Sequence, residues 1–215
     1  MTWCCGFAKG HPWHGPYHDL EYGFPVSDDR VLFERLVLEI NQAGLSWLTI
    51  LKKRAAFRAA YSGFDILRVA GYGEGDRARL LSDAGIVRNR LKVDAAIANA
   101  NVILELTRTH GSFAAWLSAH HPLAKPDWVR LFRKTFRFTG GEITGEFLLS
   151  IGLLPGAHRP GCPVTQAIRR AKGGAVTEAG CLPRPGRLAI ARMSARRYSC
   201  RAMMARSAPQ VPAIP

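Results

Sequence analysis

Long hydrophobic runs are missing from this chain of 215 residues. Its most apolar stretch, 143–154, is interrupted by Glu146 and is too short to cross a bilayer. Strict alternation of apolar and polar residues is also scarce. That leaves little from which to build strands, and the fold class expected is all-α. The cysteines do not form an obvious paired set. There are five, and Cys4 and Cys5 are adjacent, which suits metal binding in a reducing compartment better than a disulfide framework. No charged-then-apolar leader opens the chain, so a soluble protein of the cytoplasm is expected. Acidic residues almost vanish after residue 162. Residues 163–215 hold ten Lys and Arg against the single acid Glu178, whereas residues 1–162 hold 20 against 15. The net charge of +14 therefore describes the tail more than the body. A basic excess favours a polyanionic partner through counterion release, without selecting a sequence.

What is present begins with metal-ligand residue types at both ends of the body. Cys4, Cys5 and His18 lie near the start, and His158 and Cys162 lie among Pro155, Gly156, Pro160 and Gly161, which impose a turn. A Cys₂His₂ set drawn from them would match a closed tetrahedral zinc site and fasten the two ends together. Taken singly, each cysteine is as well explained as a small buried hydrophobe.

Between these ends the pattern is helical. Residues 1–28 are rich in Gly and Pro and read as mostly loop with short turns. Asp28 or Asp29 then caps a helix carrying Leu32, Phe33, Leu36, Val37 and Ile40 at three-and-four spacing. Further helices are predicted over 45–61, 64–69, 76–84, 87–106, 112–120, 129–138 and 143–151. After Cys162 the large apolar residues thin out. The chain is expected to divide into a domain over 1–168 and a basic tail over 169–215, disordered from about residue 170.

Two segments carry candidate chemistry. Residues 81–90, Leu-Ser-Asp-Ala-Gly-Ile-Val-Arg-Asn-Arg, read as a helix-hairpin-helix. Gly85 would allow a tight turn, the next helix would offer free N–H groups to an anion, and Arg88, Arg90 and Lys92 would add charge for a DNA phosphate. Any helical turn with a glycine and nearby arginines looks similar. Glu39, followed by a polar and glycine-containing connection to Trp47, with Tyr17 elsewhere, would line a pocket for a flat and preferably cationic heterocycle. The plainer alternative makes Trp47 core and Glu39 a residue of the helix-end surface.

Several strings, taken together, resemble the DNA-3-methyladenine glycosylase I family. They are Cys-Gly-Phe at 5–7, Tyr-His-Asp-Leu-Glu-Tyr-Gly-Phe-Pro at 17–25, Leu-Glu-Ile-Asn-Gln-Ala-Gly-Leu-Ser-Trp at 38–47, Leu-Lys-Lys-Arg at 51–54, Asp-Ala-Gly-Ile-Val-Arg at 83–88, and His158 with Cys162. The resemblance spans about residues 4–162. It implies a helical DNA glycosylase fold with a zinc site joining the N- and C-terminal parts, the ligands being Cys5, His18, His158 and Cys162. It implies Glu39 as the pocket carboxylate, Tyr17 and Trp47 as aromatics that sandwich the base, and Phe7 at a further aromatic position. Residues 81–92 would hold the backbone of double-stranded DNA containing alkylated bases, and a monomer is expected. The chain departs from the family pattern at His14, at Tyr22 and over 141–146, which bears on lesion preference. A zinc-stapled DNA-binding module without chemistry would need the four ligands and the hairpin but not Glu39, Tyr17 and Trp47. A zinc hydrolase would need an open coordination position, which four protein ligands close.

Overall fold

Asp28 begins the central helix as the spacing predicts. Its Oδ1 accepts from the backbone N–H of Arg30 at 2.8 Å and of Val31 at 3.4 Å, satisfying donors that the first helical turn leaves open. The computed structural model describes residues 4–174 and contains ten α-helices and no strand among them. The elements are α1 (His14–Leu20), α2 (Asp29–Gln42), α3 (Trp47–Ala60), α4 (Ile66–Ala70), α5 (Glu74–Ser82), α6 (Arg90–His110), α7 (Phe113–His120), α8 (Lys125–Thr135), α9 (Gly141–Ser150) and α10 (Val164–Gly174). No helix among the described residues is long and apolar enough to cross a membrane.

Helix α2 lies at the centre and touches α3, α6, α7 and α9. Its stripe of Leu32, Phe33, Leu36, Val37 and Ile40 is fully buried. Asp29 also reaches across the fold, accepting from the N–H groups of Phe113 at 2.8 Å and Ala114 at 2.9 Å, and so caps α7 from a distance. On the opposite side Arg35 donates to the carbonyls of Glu21 and Ser150, tying the ends of α1 and α9 to α2.

Helix α3 carries Lys52, Lys53, Arg54 and Arg58, and not all of this charge faces solvent. Arg54 is partly buried and donates to both carboxylate oxygens of Glu21, at 2.7 and 2.8 Å, and to Glu34 at 2.6 Å, while Arg58 meets Glu34 at 2.9 Å. This network clamps α3 against α2 and the end of α1. Breaking such a buried set one member at a time leaves an uncompensated charge, which is costly.

Three expectations are corrected. Residues 1–28 hold a short 3₁₀ turn, Cys4–Gly6, and the helix α1. Its start is capped by a histidine ring, since His11 Nδ1 accepts from the N–H groups of Trp13 at 3.2 Å and His14 at 3.1 Å, and Pro16 falls in the first turn, where its missing N–H costs nothing. Helix α8 begins four residues before the expected 129 and ends at Thr135, with Pro126 in its first turn and Phe138 at φ 59° beyond its end. Helix α10 runs through the stretch where the pattern fades and past residue 170 to Gly174, with Ile168 close to Gly23. The rest of the basic tail lies outside the described residues.

Candidate functional site

The turn between α2 and α3 places two unlike side chains beside each other. Helix α2 stops at Gln42, whose carbonyl accepts from the N–H of Leu45 at 2.7 Å; Gly44 takes φ 81°, a left-handed conformation that glycine adopts without strain, and Ser46 caps α3. Trp47 therefore starts α3 close to Glu39, one turn from the end of α2. Both line a cavity of about 400 Å³ together with Tyr17 from α1, Tyr22 just after it, Gln42, and Glu142 and Glu146 from α9.

The aromatic side chains form one continuous wall. Tyr17 and Trp47 have ring centroids 5.2 Å apart at an interplanar angle of 51°, and Tyr17 and Tyr22 are 5.7 Å apart at 45°. A base sandwiched between two rings holds them about 7 Å apart, two stacking separations. Tyr17 and Trp47 are in contact, so this geometry offers a surface to stack on in place of the sandwich expected from the family resemblance. Phe7 does not join the wall. It is 45% exposed, lies outside the cavity lining, and meets the ring of His14 edge-on at 4.9 Å.

Electrostatically the cavity is one-sided. Three carboxylates line it and no cationic side chain does. Glu39 is only 5% exposed, and no hydrogen bond holds its carboxylate among the described residues. Burial first, and then the charge of Glu146, push its carboxyl well above the usual carboxylate range against the opposing pull of Arg35. Burial and the nearby Glu39 likewise raise the Tyr17 phenol. The Trp47 indole Nε1 is buried without an acceptor among the described residues. A carboxylate and an aromatic wall thus face the same space, which suits a flat ligand with a polar edge.

Beyond Tyr22 lies the cysteine and histidine group. The ligand atoms of Cys5, His18, His158 and Cys162 all lie within 4.8 Å of one another. His18 Nε2 is 3.3 Å from Cys5 Sγ and 3.6 Å from Cys162 Sγ; His158 Nδ1 is 3.5 Å from Cys5 Sγ, 3.6 Å from Cys162 Sγ and 3.2 Å from His18 Nε2. The outer nitrogens are fixed by acceptors. His18 Nδ1 meets Asp19 Oδ1 at 2.7 Å, and His158 Nε2 meets the Tyr22 carbonyl at 2.7 Å. Each ring therefore carries its proton on the outer nitrogen and turns a lone pair inward, the arrangement that a metal ion requires. The group could hold a metal ion.

The hairpin residues separate into different roles. Residues 83–89 connect α5 to α6, with Asn89 capping α6 at the N–H of Lys92. Gly85 does not adopt a left-handed conformation. A Cβ there would fall 2.9 Å from Asp83 Oδ1 and 3.0 Å from the Ala56 methyl, so glycine serves close packing on α3. Arg88 is exposed, and Arg90 is exposed beside Glu74 and Asp94. Lys92 corrects the expectation of a phosphate contact. It is 5% exposed, and its Nζ donates to the carbonyls of Asn41 at 2.9 Å and Ala43 at 2.6 Å. It satisfies the open C-terminal end of α2. Lys92→Met is expected to cost about 2–3 kcal/mol in chemical denaturation while leaving the salt dependence of DNA binding unchanged; a flatter salt dependence in a stably folded variant would restore Lys92 as a phosphate contact.

Sequence reasoning left Gln42, Glu142 and Glu146 without roles. The signal for the last two was a pair of carboxylates four residues apart, one just before and one within the most apolar stretch of the chain, hence on one face of a helix.

Comparison with known proteins gives a consistent result. A model of the family described as methyladenine glycosylase matches residues 7–128. The DNA-3-methyladenine glycosylase 1 of Escherichia coli strain K12 is 35% identical over 177 residues, 74% of this chain and 94% of the relative. The DNA-3-methyladenine glycosylase of Haemophilus influenzae is 32% identical over 182 residues, 76% of this chain and 98% of the relative. Among solved structures, a tyrosine-to-phenylalanine variant of 3-methyladenine DNA glycosylase I in complex with 3-methyladenine superposes with a TM-score of 0.67 at 31% identity, covering 74% of this chain and 96% of its own.

Proposed function

The chain belongs to the methyladenine glycosylase family, and from that membership and its cavity we propose that it is a base-excision enzyme hydrolysing the N-glycosidic bond of 3-methyladenine in alkylated DNA. The observation that carries the reading is the cavity itself, with an aromatic wall, a buried carboxylate and no cationic side chain to repel a positively charged base.

Methylation at a purine ring nitrogen makes the base a cation and hence a good leaving group. The enzyme need supply little acid catalysis. Its residues must extract the nucleotide from the stack, which costs least for a damaged base, and hold it against Tyr17, Tyr22 and Trp47. Aromatic faces favour a cationic ring over a neutral one. Burial holds the Glu39 carboxyl towards its neutral form in the empty cavity, and a cationic base beside it favours its ionisation, so that the carboxylate accepts hydrogen bonds from the base's polar edge. A cavity fitted to the base as it leaves lowers the barrier more than one fitted to the stacked nucleotide. No aspartate nucleophile is assigned. The enzyme is proposed to act as a monomer on double-stranded DNA, in the cytoplasm.

The Cys₂His₂ group fits Zn²⁺. Tetrahedral bonds of about 2.0–2.1 Å to nitrogen and 2.3 Å to sulfur require ligand separations of about 3.3–3.8 Å, close to the spacings found here. Bound there, zinc would be structural, since four protein ligands leave no position for water. Cys5, His18, His158 and Cys162 would hold it, joining α1 to the segment before α10. The hairpin over 83–89, with Arg88 and Arg90 exposed at its rim, is proposed to grip a DNA phosphate through the N–H groups at the start of α6.

The purified chain is expected to release free 3-methyladenine from methylated duplex DNA, resolved by chromatography; no release from a folded, metal-loaded protein would favour the DNA-binding module without chemistry. Arg88→Ala is expected to weaken binding equally on all sequences and to reduce the slope of log K against log salt by about 1. An unchanged slope would remove Arg88 from the interface.

A further inference from the structure

Helix α8 buries Trp128 and Phe132, with Phe136 just after them, and turns its other face outward. That face carries Arg130, Arg133 and Lys134, and Arg137 continues it beyond the helix end at Thr135. The spacing i, i+3, i+4, i+7 sets all four along one line. Asp127 pairs with Arg130, but no carboxylate among the described residues pairs with the other three. Like charges so placed repel one another. The helix dipole offsets this for Arg133 and Lys134 in the last turn, but not for Arg137 past it.

Arg137 is set in place through its backbone. Its N–H donates to Asn99 Oδ1 at 2.7 Å and its carbonyl accepts from Asn99 Nδ2 at 3.0 Å, and Asn99 is fully buried in α6. The exposed side chain lines a polar cleft along α6 together with Arg77, Arg90, Glu74 and Asp94. Both carboxylates are already engaged by Arg77 and Arg90, which leaves the charge of Arg137 unmatched. Arg90 opens α6 at the hairpin, and Glu142, five residues beyond Arg137, lines the base cavity. The start of α8 also lies beside that cavity, since Lys125 crosses α9 at Gly145, where a Cβ would fall 2.6 Å from the lysine Cε. The basic face thus runs between the two parts of the proposed DNA interface.

We propose that Arg133, Lys134 and Arg137 form a second backbone track for duplex DNA, taking consecutive phosphates that flank the extruded nucleotide. This rests on the reading of the chain as a DNA glycosylase. At about 1.5 Å per residue the face from Arg130 to Arg137 covers about 10 Å, over which one DNA strand presents about three charges. Three unpaired cations set along one line match a polymer of regular charge better than a single small anion. The track reads no sequence. It fixes the direction in which the duplex leaves the hairpin, and so which nucleotide stands over the cavity.

The test measures binding of the full chain to a duplex carrying one stable abasic-site analogue, by fluorescence anisotropy across a series of salt concentrations. Arg137→Gln is expected to reduce the slope of log K against log salt by about 0.9, and the triple variant Arg133→Gln, Lys134→Gln, Arg137→Gln by about 2–3. Arg108→Gln removes one charge near the far end of α6 and should leave the slope as it is. All four side chains are exposed, so the variants should keep the wild-type Tm. An unchanged slope in the triple variant overturns this proposal alone and leaves the face to an acidic protein partner. An equal fall in Arg108→Gln and Arg137→Gln also overturns it, because the effect is then one of net charge and not of place. Failure of the wild type to bind the duplex overturns the DNA-glycosylase reading and this proposal with it.

Discussion

Glu39→Gln is expected to lower 3-methyladenine release about a hundredfold or more and, at neutral pH, to make the protein more stable. Both effects have one origin. The carboxylate is 5% exposed, and burial and the charge of Glu146 hold its folded pKa well above the usual range. An unfolded chain loses that proton near pH 4.3. Between this value and the raised folded one, the unfolded state has released a proton that the folded state keeps. Stability contributed by Glu39 therefore falls as pH rises from about 4 and levels off once the folded pKa is passed. Glutamine carries no such penalty. The variant should be more stable at pH 7, with a higher Tm, and the gain should vanish towards pH 4. Calorimetry at the two pH values, beside the base-release assay, checks the pair of effects. Full release by the variant would take Glu39 out of the mechanism. A gain that persisted at pH 4 would trace the stability to packing and not to charge.

Cys162→Ser is expected to abolish tight metal binding and to cost about 4 kcal/mol, a fall of about 10 °C in Tm for a domain of this size. The four residues come from two segments at least 140 residues apart in sequence, and the metal would be the tie that spans them. Activity should suffer as well, through a short path. His158 holds the Tyr22 carbonyl at 2.7 Å, and the Tyr22 hydroxyl reaches Glu146 in the cavity. Metal content by atomic spectroscopy, with chelator-treated wild type as reference, tests the assignment. If the variant keeps its full complement of metal and its Tm, the site is not where these residues place it. If chelation shifts Tm but leaves base release intact, the path through Tyr22 carries no catalytic weight.

The helices that were legible in the sequence are those whose signals are local. Helix α2 announces itself through the spacing of Leu32 to Ile40 and through Asp28 at its start. Helix α1 was hidden because its cap is a histidine ring and its first turn contains Gly15 and Pro16, which elsewhere mark loops. The site divides the same way. Glu39 and Trp47 sit on one short string, and a carboxylate followed by an aromatic across a tight turn is readable there. Their shared cavity with Glu146 depends on α9 packing against α2, which no local pattern encodes. Lys92 shows the opposite failure. Its charge is visible in the sequence, but the carbonyls it satisfies belong to the end of another helix some fifty residues earlier. The residues that could hold a metal were legible as ligand types only, and preferring Cys5 to Cys4 needed the family resemblance.

Lys53 donates to the carbonyls of Ala84 and Gly85 at 2.7 and 3.1 Å, and Gly85 packs against Ala56 on the same helix. The hairpin is thereby bolted to α3, the helix that begins with Trp47, while Lys92 bolts the start of α6 to the end of α2 just beyond Glu39. The proposed backbone grip and the proposed base cavity would then act as a single rigid gauge. With its span fixed, the strain of bringing one nucleotide from the duplex to the cavity falls on the DNA, and a site where stacking is already weakened yields to the gauge first.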